Sequence, residues 1–361
     1  MNKTTLLLII LIFLGSCTFN QVPTKVLSLP EYKSEEIKDE VVKIVISSTQ
    51  NFNGQLKSQT IEIPKQGKIP ELEIGGINLL SSYIRILRKV HGDSLILLDA
   101  GDLFNEKSPE DIPRTIRAYK ELGYDGINLT DRELKILENM KHNIEDLPFL
   151  TSNILDLKTL KPTSLHGSLP YKIINISNIQ VGIISVTPFK AIEDKKDDFK
   201  TGLYFEDPVL SFLKARKELK SKGVNLLVLM ISEKNIDNVH RFVKRLPPRS
   251  VDVIISGNTK SDATLIDGIP ILQNYGEGRF ISSIEIYYDR QDKVVILDKT
   301  KNHGMIKTCS KFFRSTMDCH IDENEKWFEK RLEMIKDSKF QTVPAKFLGH
   351  EIKMNSETVK L

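Results

Sequence analysis

Leu97-Leu98-Asp99-Ala100-Gly101-Asp102 closes a short apolar run that begins at Ser94. A buried strand that stops at a turn carrying a carboxylate is what an α/β sheet presents where a site gathers beyond its strand ends. The same pattern extends outward from it. Upstream, Val42 to Ser47 is an apolar, β-branched run, and Leu79, Leu80, Tyr83, Ile84, Leu87 and Val90 recur with helical spacing. Downstream, Ile112 to Leu122 reads as a helix stopped by Gly123, Gly126 to Leu129 as a strand and Glu133 to Met140 as a helix. Strands follow at Phe149 to Asn153, Tyr171 to Ile176 and Val181 to Val186. A helix at Val209 to Lys222, a strand at Leu226 to Ile231, a helix at Ile236 to Arg245 and a strand at Val251 to Ile255 come next. Ile271 to Asn274, Ile281 to Tyr288 and Val294 to Leu297 complete the rhythm. Short buried strands alternating with helices specify an α/β fold with helices outside the sheets. Several strands end in polar residues: Ser48, Asp102, Thr130, Ser232 and Asn258.

The chain of 361 residues is 40% hydrophobic and 28% charged, an ordinary globular composition. Its net charge of +4 is spread without a basic stripe, which argues against a nucleic-acid polymer as partner. The first residues read in three parts. Lys3 is followed by an unbroken apolar run, Leu6 to Leu14, too short to span a bilayer, and then by Leu14-Gly15-Ser16-Cys17. A charged start, a short apolar core and small residues before a cut site form a secretory signal over residues 1–16. The ending resembles the lipobox of bacterial lipoproteins, which implies lipid attachment at Cys17 and an exported protein held in the cell envelope. Thr18 is not the Asp that signals inner-membrane retention, which points to the outer membrane or a periplasm-facing location. The competing reading is a buried N-terminal helix with an incidental cysteine. Residues 17–40, with Pro23, Pro30 and the charged stretch Lys33 to Glu40, read as a flexible tether.

Cys309 and Cys319 lie close together in a chain read as exported, where disulfides persist. A bridge would contribute roughly 2–3 kcal/mol by closing a short loop. A metal pair with His320 is the alternative, but the spacing matches no familiar zinc pattern. The organisation expected is a folded domain over 41–300 and a C-terminal extension over 301–361. Within the extension, Asn324 to Lys339 reads as a charged amphipathic helix and 340–361 as an exposed tail.

The strand-end segments resemble the metallophosphatase domain of the 5′-nucleotidase family, within the calcineurin-like phosphoesterases. Asn51-Phe52-Asn53-Gly54 stands where that family has Asp-x-His-Gly, and Gly75-Gly76 precedes a helix as it does there. Leu97 to Asp102 matches Leu-Leu-Asp-Ala-Gly-Asp. Leu122-Gly123-Tyr124-Asp125 and Thr130-Asp131-Arg132-Glu133 fall where the family has Leu-Gly-Tyr-Asp and Gly-Asn-His-Glu. Val251 to Gly257 and Ile271 to Phe280 fit the last strands. The resemblance implies a four-layer α/β/β/α sandwich flanked by helices, and a site in which two divalent metals activate water and clamp a phosphate ester.

Residue by residue, the implied ligands are mostly replaced. The first Asp and His are Asn51 and Asn53, and the bridging carboxylate remains as Asp102. The ligand Asn is Asp131, the catalytic His is Arg132, the strand-end His is Ser232, and the last His pair is Asn258 and Lys260. None of the seven histidines falls in a ligand segment. Borderline metals want imidazole or thiolate. Arg132 and Lys260 bring fixed positive charge, each repelling a divalent cation by several kcal/mol at ~4 Å and an effective dielectric of ~20. The expectation is a membrane-anchored pseudoenzyme without a metal cofactor, in a binding or scaffold role. Three arrangements of its pocket follow. Arg132 and Lys260 hold a small phosphate-bearing anion, or they pair internally with Asp102 and Asp131. In the third, the oxygen donors bind a single Mg or Ca and retain phosphoesterase activity. A protein partner is not identified by any feature of the sequence.

Overall fold

The computed structural model describes residues 40–63, 67–138, 147–187, 202–233, 235–257, 264–314, 317–319 and 342–354. The leader, Cys17, the tether to residue 39, the helix read at 324–339, and Asn258 and Lys260 lie outside the described residues. The first half of the chain runs β1 (Val41–Thr49), the hairpin β2 (Gln59–Ile63) and β3 (Gly67–Ile74), α1 (Gly76–His91), β4 (Leu95–Asp99), α2 (Ile112–Leu122), β5 (Gly126–Asn128), α3 (Asp131–Glu138), β6 (Phe149–Leu150) and β7 (Ile154–Asp156). It continues through β8 (Tyr171–Ile176), β9 (Ile179–Val186), β10 (Leu203–Phe205), α4 (Pro208–Ser221), β11 (Leu226–Ile231), α5 (Ile236–Lys244), β12 (Val253–Ser256), β13 (Leu265–Ile266) and β14 (Ile269–Gln273). The last strands are β15 (Phe280–Asp289), β16 (Val294–Val295), β17 (Lys301–Lys307), β18 (Lys311–Phe313), β19 (Thr342–Pro344), β20 (Lys346–Phe347) and β21 (His350–Glu351).

Two sheets dominate. In one, β1, β4, β5 and β6 run parallel, β15 lies antiparallel beside β1, and β16 and β17 share its other edge. In the other, β9, β11, β12 and β14 are parallel, with β8 and β13 antiparallel at the two edges. The period-2 alternation of strands sorts their side chains into layers. Ile44 and Ile46 of β1 and Ile96 and Leu98 of β4 face Val181, Ile183, Leu226, Val228 and Met230 of the second sheet in one apolar seam. Val45, Leu95 and Leu97 point the other way, against α1, α2 and α3. Leu227, Leu229 and Ile231 do the same against Val209, Phe212 and Leu219 of α4 and Phe242 of α5. The architecture is the four-layer α/β/β/α sandwich that the family resemblance implies.

Helix ends follow local chemistry. Asp207 caps α4 by accepting from the backbone N–H groups of Val209 and Leu210, and Gly123 ends α2 in the left-handed conformation at φ 64°.

The C-terminal residues depart from their sequence reading. The boundary drawn at residue 300 is not an edge of the fold: β17 pairs with β15 along Phe280 to Glu285 and widens the first sheet. Cys309 and Cys319 are disulfide-bonded with Cα atoms 6.4 Å apart, and β18 lies inside the loop they close. β18 pairs with β19, so the segment read as an exposed tail is drawn back onto the body. There Ala345, Phe347 and Ile352 are buried in the helix-side core of the first sheet. The Phe347 ring packs on Tyr83 of α1 with centroids 5.0 Å apart, and Ser82 Oγ donates to the Lys353 carbonyl at 2.6 Å. The segment escaped sequence reading because its apolar residues are few and follow neither a helical nor a strand period. Residues 355–361 of that predicted tail lie outside the described residues.

Phe347→Ala is expected to lower stability by about 3 kcal/mol, the usual cost of emptying a buried aromatic site. Urea unfolding of the variant against the parent checks this; an unchanged midpoint would mean the segment is not part of the core.

Candidate functional site

The parallel strands of both sheets point their carboxyl ends to the same side of the molecule, and the loops there converge. β1 leads into Asn51-Phe52-Asn53-Gly54, β4 into Ala100-Gly101-Asp102, and β5 into Thr130 and α3. The first two loops are laced by their backbones. Asn51 N donates to the Gly101 carbonyl at 2.8 Å, Asn53 N to Asp102 at 3.1 Å, and Gly54 N to Leu103 at 2.8 Å. This bonding requires unusual dihedrals: Asn51, Asn53 and Asp102 sit at φ 48°, 53° and 60°. Asn and Asp are the non-glycine residues best suited to that left-handed region. A third loop presses on Asn51. A Cβ on Gly276 would stand 2.5 Å from the Asn51 carbonyl oxygen, so glycine is required there. On the second sheet, Ser232 follows β11 and Gly257 follows β12. Ser232 Oγ lies 3.3 Å from where a Cβ on Gly257 would stand, with Ala100 beside it. Ser232 therefore sits where the ends of β4, β11 and β12 meet.

Beneath these loops Asp99 is fully buried. Its carboxylate accepts from Thr49 Oγ1 at 2.5 Å, from the Gly101 N–H at 2.8 Å and from Tyr119 at 3.1 Å. Tyr124 shares the Thr49 hydroxyl at 2.7 Å and stacks on Tyr119 with ring centroids 4.7 Å apart. Burial pushes the Asp99 carboxyl up to about 6, and these hydrogen bonds keep it from rising further.

Thr130-Asp131-Arg132-Glu133 forms a capping box at the start of α3. Arg132 N donates to Thr130 Oγ1 at 3.3 Å, and Glu133 reaches back to accept from Thr130 N at 3.2 Å. Glu133 also accepts from Thr130 Oγ1 and, through its other oxygen, from Leu103 N at 2.6 Å. Thr130 Oγ1 lies 3.3 Å from Asp102 Oδ1. Burial, reinforced by the charge of Asp102, raises the Glu133 carboxyl well above its ordinary value. Glu133 is thus the tie between α3 and the Asp102 turn; the Thr-x-x-Glu spacing signals its local capping role but not the bond to Leu103.

Arg132 and Asn53, separated by 79 positions, meet directly: Arg132 Nη2 donates to Asn53 Oδ1 at 2.6 Å. Of the pairing expected between Arg132 and Lys260 and the two carboxylates, the Arg132 half is not what the described residues show, and Lys260 lies outside them. Among the described residues the Arg132 guanidinium makes no ion pair with Asp102, Asp131 or any other carboxylate. Asp131 is half-buried in the first turn of α3.

The donor set does not fit a two-metal centre. It offers the amides of Asn51 and Asn53, the carboxylates of Asp102 and Asp131 and the Ser232 hydroxyl, without imidazole or thiolate. The Asn53 oxygen is engaged by a cation. Among the described residues no three His, Cys, Asp or Glu side chains converge as a metal-holding group.

No protein-family model matches the chain. It is similar to the 5′-nucleotidase of Rattus norvegicus, 23% identical over 286 residues that cover 70% of this chain and 48% of that protein. The chain spans about half the length of the curated 5′-nucleotidases it matches, or somewhat less. Among solved structures it resembles the 5′-nucleotidase precursor of Thermus thermophilus, with a TM-score of 0.56 at 16% identity over 82% of this chain and 59% of that one. The calcineurin-like phosphoesterase YfkN of Bacillus subtilis gives a TM-score of 0.58 at 16% identity, covering 82% of this chain and 98% of that one. The chain shares the metallophosphatase fold of these solved structures.

The Asp99 carboxyl ionises at about 6 when folded against 3.8 ordinarily. Its protonated form therefore favours the folded state. The stability it contributes is fully present below pH 3.8 and is lost as pH rises to about 6, ~3 kcal/mol in all. Asp99→Asn is expected to remove this component, so that the difference in unfolding free energy between variant and parent changes across pH 4–6 and levels above it. Urea titrations at half-unit intervals check this; a pH-independent difference would refute the assignment.

Proposed function

We propose that this chain is a membrane-anchored lipoprotein whose metallophosphatase-like site holds a small phosphate-bearing anion without hydrolysing it. One observation carries the reading: the Arg132 guanidinium is bonded to Asn53, and both stand at positions where the family resemblance implies a catalytic and a ligand histidine. A fixed cation there supplies the positive charge that attracts phosphate but cannot coordinate and activate a water as a metal ion does. Guanidinium has five donors in a planar fork suited to phosphate oxygens, and one of them is spent on Asn53. Asn51 and Ser232 add neutral hydrogen-bonding groups around it. Lys260, two positions beyond Asn258 in the sequence, adds a second positive charge to this reading.

Anchoring rests on the leader. Lys3, the apolar run Leu6 to Leu14 and Leu14-Gly15-Ser16-Cys17 support export and lipid attachment to the Cys17 thiol in the cell envelope. Attachment of several acyl chains gives stable anchoring where one is marginal.

The test combines metal content and turnover. Protein incubated with manganese, zinc, magnesium and calcium is expected to retain no stoichiometric metal by elemental mass spectrometry. It is also expected to turn over neither a generic phosphodiester nor a nucleoside monophosphate. About two metals per chain with turnover would overturn the reading, and one calcium or magnesium with turnover would establish an oxygen-ligated phosphoesterase instead. Inorganic phosphate is expected to raise the melting temperature of the parent and to lose that effect in Arg132→Ala, measured by calorimetry. For the anchor, Cys17→Ser is expected to move the protein from the membrane to the soluble fraction on cell fractionation.

A further inference from the structure

Away from the site, between β7 and β8, the chain turns four leucines outward. Leu157, Leu160, Leu165 and Leu169 are 41, 61, 42 and 52% exposed. They are not loose. Asp156 Oδ1 accepts from Lys158 N at 3.1 Å and Thr159 N at 2.8 Å, and Leu160 N returns to the Asp156 carbonyl at 2.8 Å. Asp156 N bonds the Lys161 carbonyl at 2.9 Å, which closes the turn, and Leu157 N bonds Gly202 at 2.9 Å, which pins it beside β10. Further along, Thr163 N donates to Ile154 at 2.9 Å and Ser168 Oγ to the Thr163 carbonyl at 3.0 Å. An ordered backbone thus holds four large apolar side chains in water within one short stretch of the chain, and apolar surface concentrated in this way marks an interaction site.

Beyond Asp156, whose carboxylate is held by the Lys158 and Thr159 N–H groups at the start of the turn, the charges interleaved with them are positive. From Leu157 to Lys172 there are three lysines, Lys158, Lys161 and Lys172, and no acidic residue, although the chain average would place about two there. Lys158 and Lys161 are exposed beside Leu157 and Leu160, while Lys172 is tied to the Asp125 carbonyl at 2.6 Å. This chemistry separates two kinds of partner. Protein interfaces are depleted in lysine and enriched in aromatic residues, and Tyr204 is the exposed aromatic side chain of this face among the described residues. A turn presenting leucine at its tip with lysine alongside matches a bilayer surface instead. There, apolar side chains enter the acyl boundary and each lysine near anionic headgroups is attracted to them.

We propose that the segment from Leu157 to Lys172 is a membrane-contact loop that rests on an anionic bilayer, with its leucines in the acyl boundary and Lys158 and Lys161 at the headgroups. The inference does not depend on lipid attachment at Cys17, and it is tested with that attachment removed. A full-length Cys17→Ser, Leu160→Cys chain has one reactive thiol, since Cys309 and Cys319 are bonded to each other. Labelled there with an environment-sensitive nitrobenzoxadiazole, it is mixed with vesicles of phosphatidylglycerol and phosphatidylcholine, or of phosphatidylcholine alone. The expected result is a blue shift on the anionic vesicles only, weakening as salt is raised. Lys158→Glu with Lys161→Glu is expected to reduce the vesicle affinity read by this signal by roughly ten-fold or more. The leader, common to all variants, can sediment the protein with vesicles but cannot shift a probe on the loop by itself. An unshifted probe on sedimented protein would overturn the proposal, as would a shift indifferent to the lysine reversal. If Leu157→Ser instead changes the oligomeric state in sedimentation velocity while the probe stays unshifted, the surface joins copies of this chain and the proposal fails. Far-UV circular dichroism confirms that each variant is folded.

Discussion

The backbone ladder between the Asn51–Gly54 loop and the Gly101–Leu103 turn is the constraint on which the site depends. Three N–H groups of one loop are satisfied by three carbonyls of the other, and the left-handed residues Asn51, Asn53 and Asp102 supply the bends that make this geometry. Such conformations cost energy unless the surroundings over-determine them. Here the surroundings are Gly276 against Asn51, the Asp99 carboxylate receiving the Gly101 N–H, and Glu133 receiving that of Leu103. The loops are held by hydrogen bonds of the chain itself.

That independence means that the frame does not rest on the identity of the side chains at the rim. An asparagine tolerates the left-handed conformation as well as any side chain other than glycine, so the residues at 51 and 53 are compatible with the loop on conformational grounds alone. The capping box at Thr130 and Glu133 secures the start of α3 by local hydrogen bonds, leaving the side chain of Arg132 available to cross to Asn53. The electrostatic character of the pocket is therefore set by a few side chains on a frame fixed from below.

Much of the frame was legible in the sequence because its strands are dense in β-branched and aliphatic residues. β1, β4, β9 and β11 could be read as short apolar runs, and α1 and α2 from their apolar spacing. The elements not read are of another kind. β17, over Lys301–Lys307, offers Met305 and Ile306 among polar neighbours, and it becomes a strand because the edge of β15 needs a partner. At the site, the loops that converge could be named from motif order. The contact between Arg132 and Asn53 could not, because it joins loops far apart in the chain and has no local pattern. Asn258 and Lys260 remain a matter of sequence, since they lie outside the described residues.

The burial of Phe347 against Tyr83 bears on the order in which this protein can fold. The helix-side core contains residues from Val45 to Ile352, and β1 takes its antiparallel neighbour from residues 280–289. Contacts of such wide sequence separation must await closure of long loops, whose entropy is lost before the contacts repay it. A nascent chain that has emerged only as far as α3 has its first parallel strands but neither the partner of β1 nor the aromatic cover of α1. Its native topology is reached only when nearly the whole chain is available, and until then the apolar faces of β1 and α1 are exposed to whatever holds the chain unfolded.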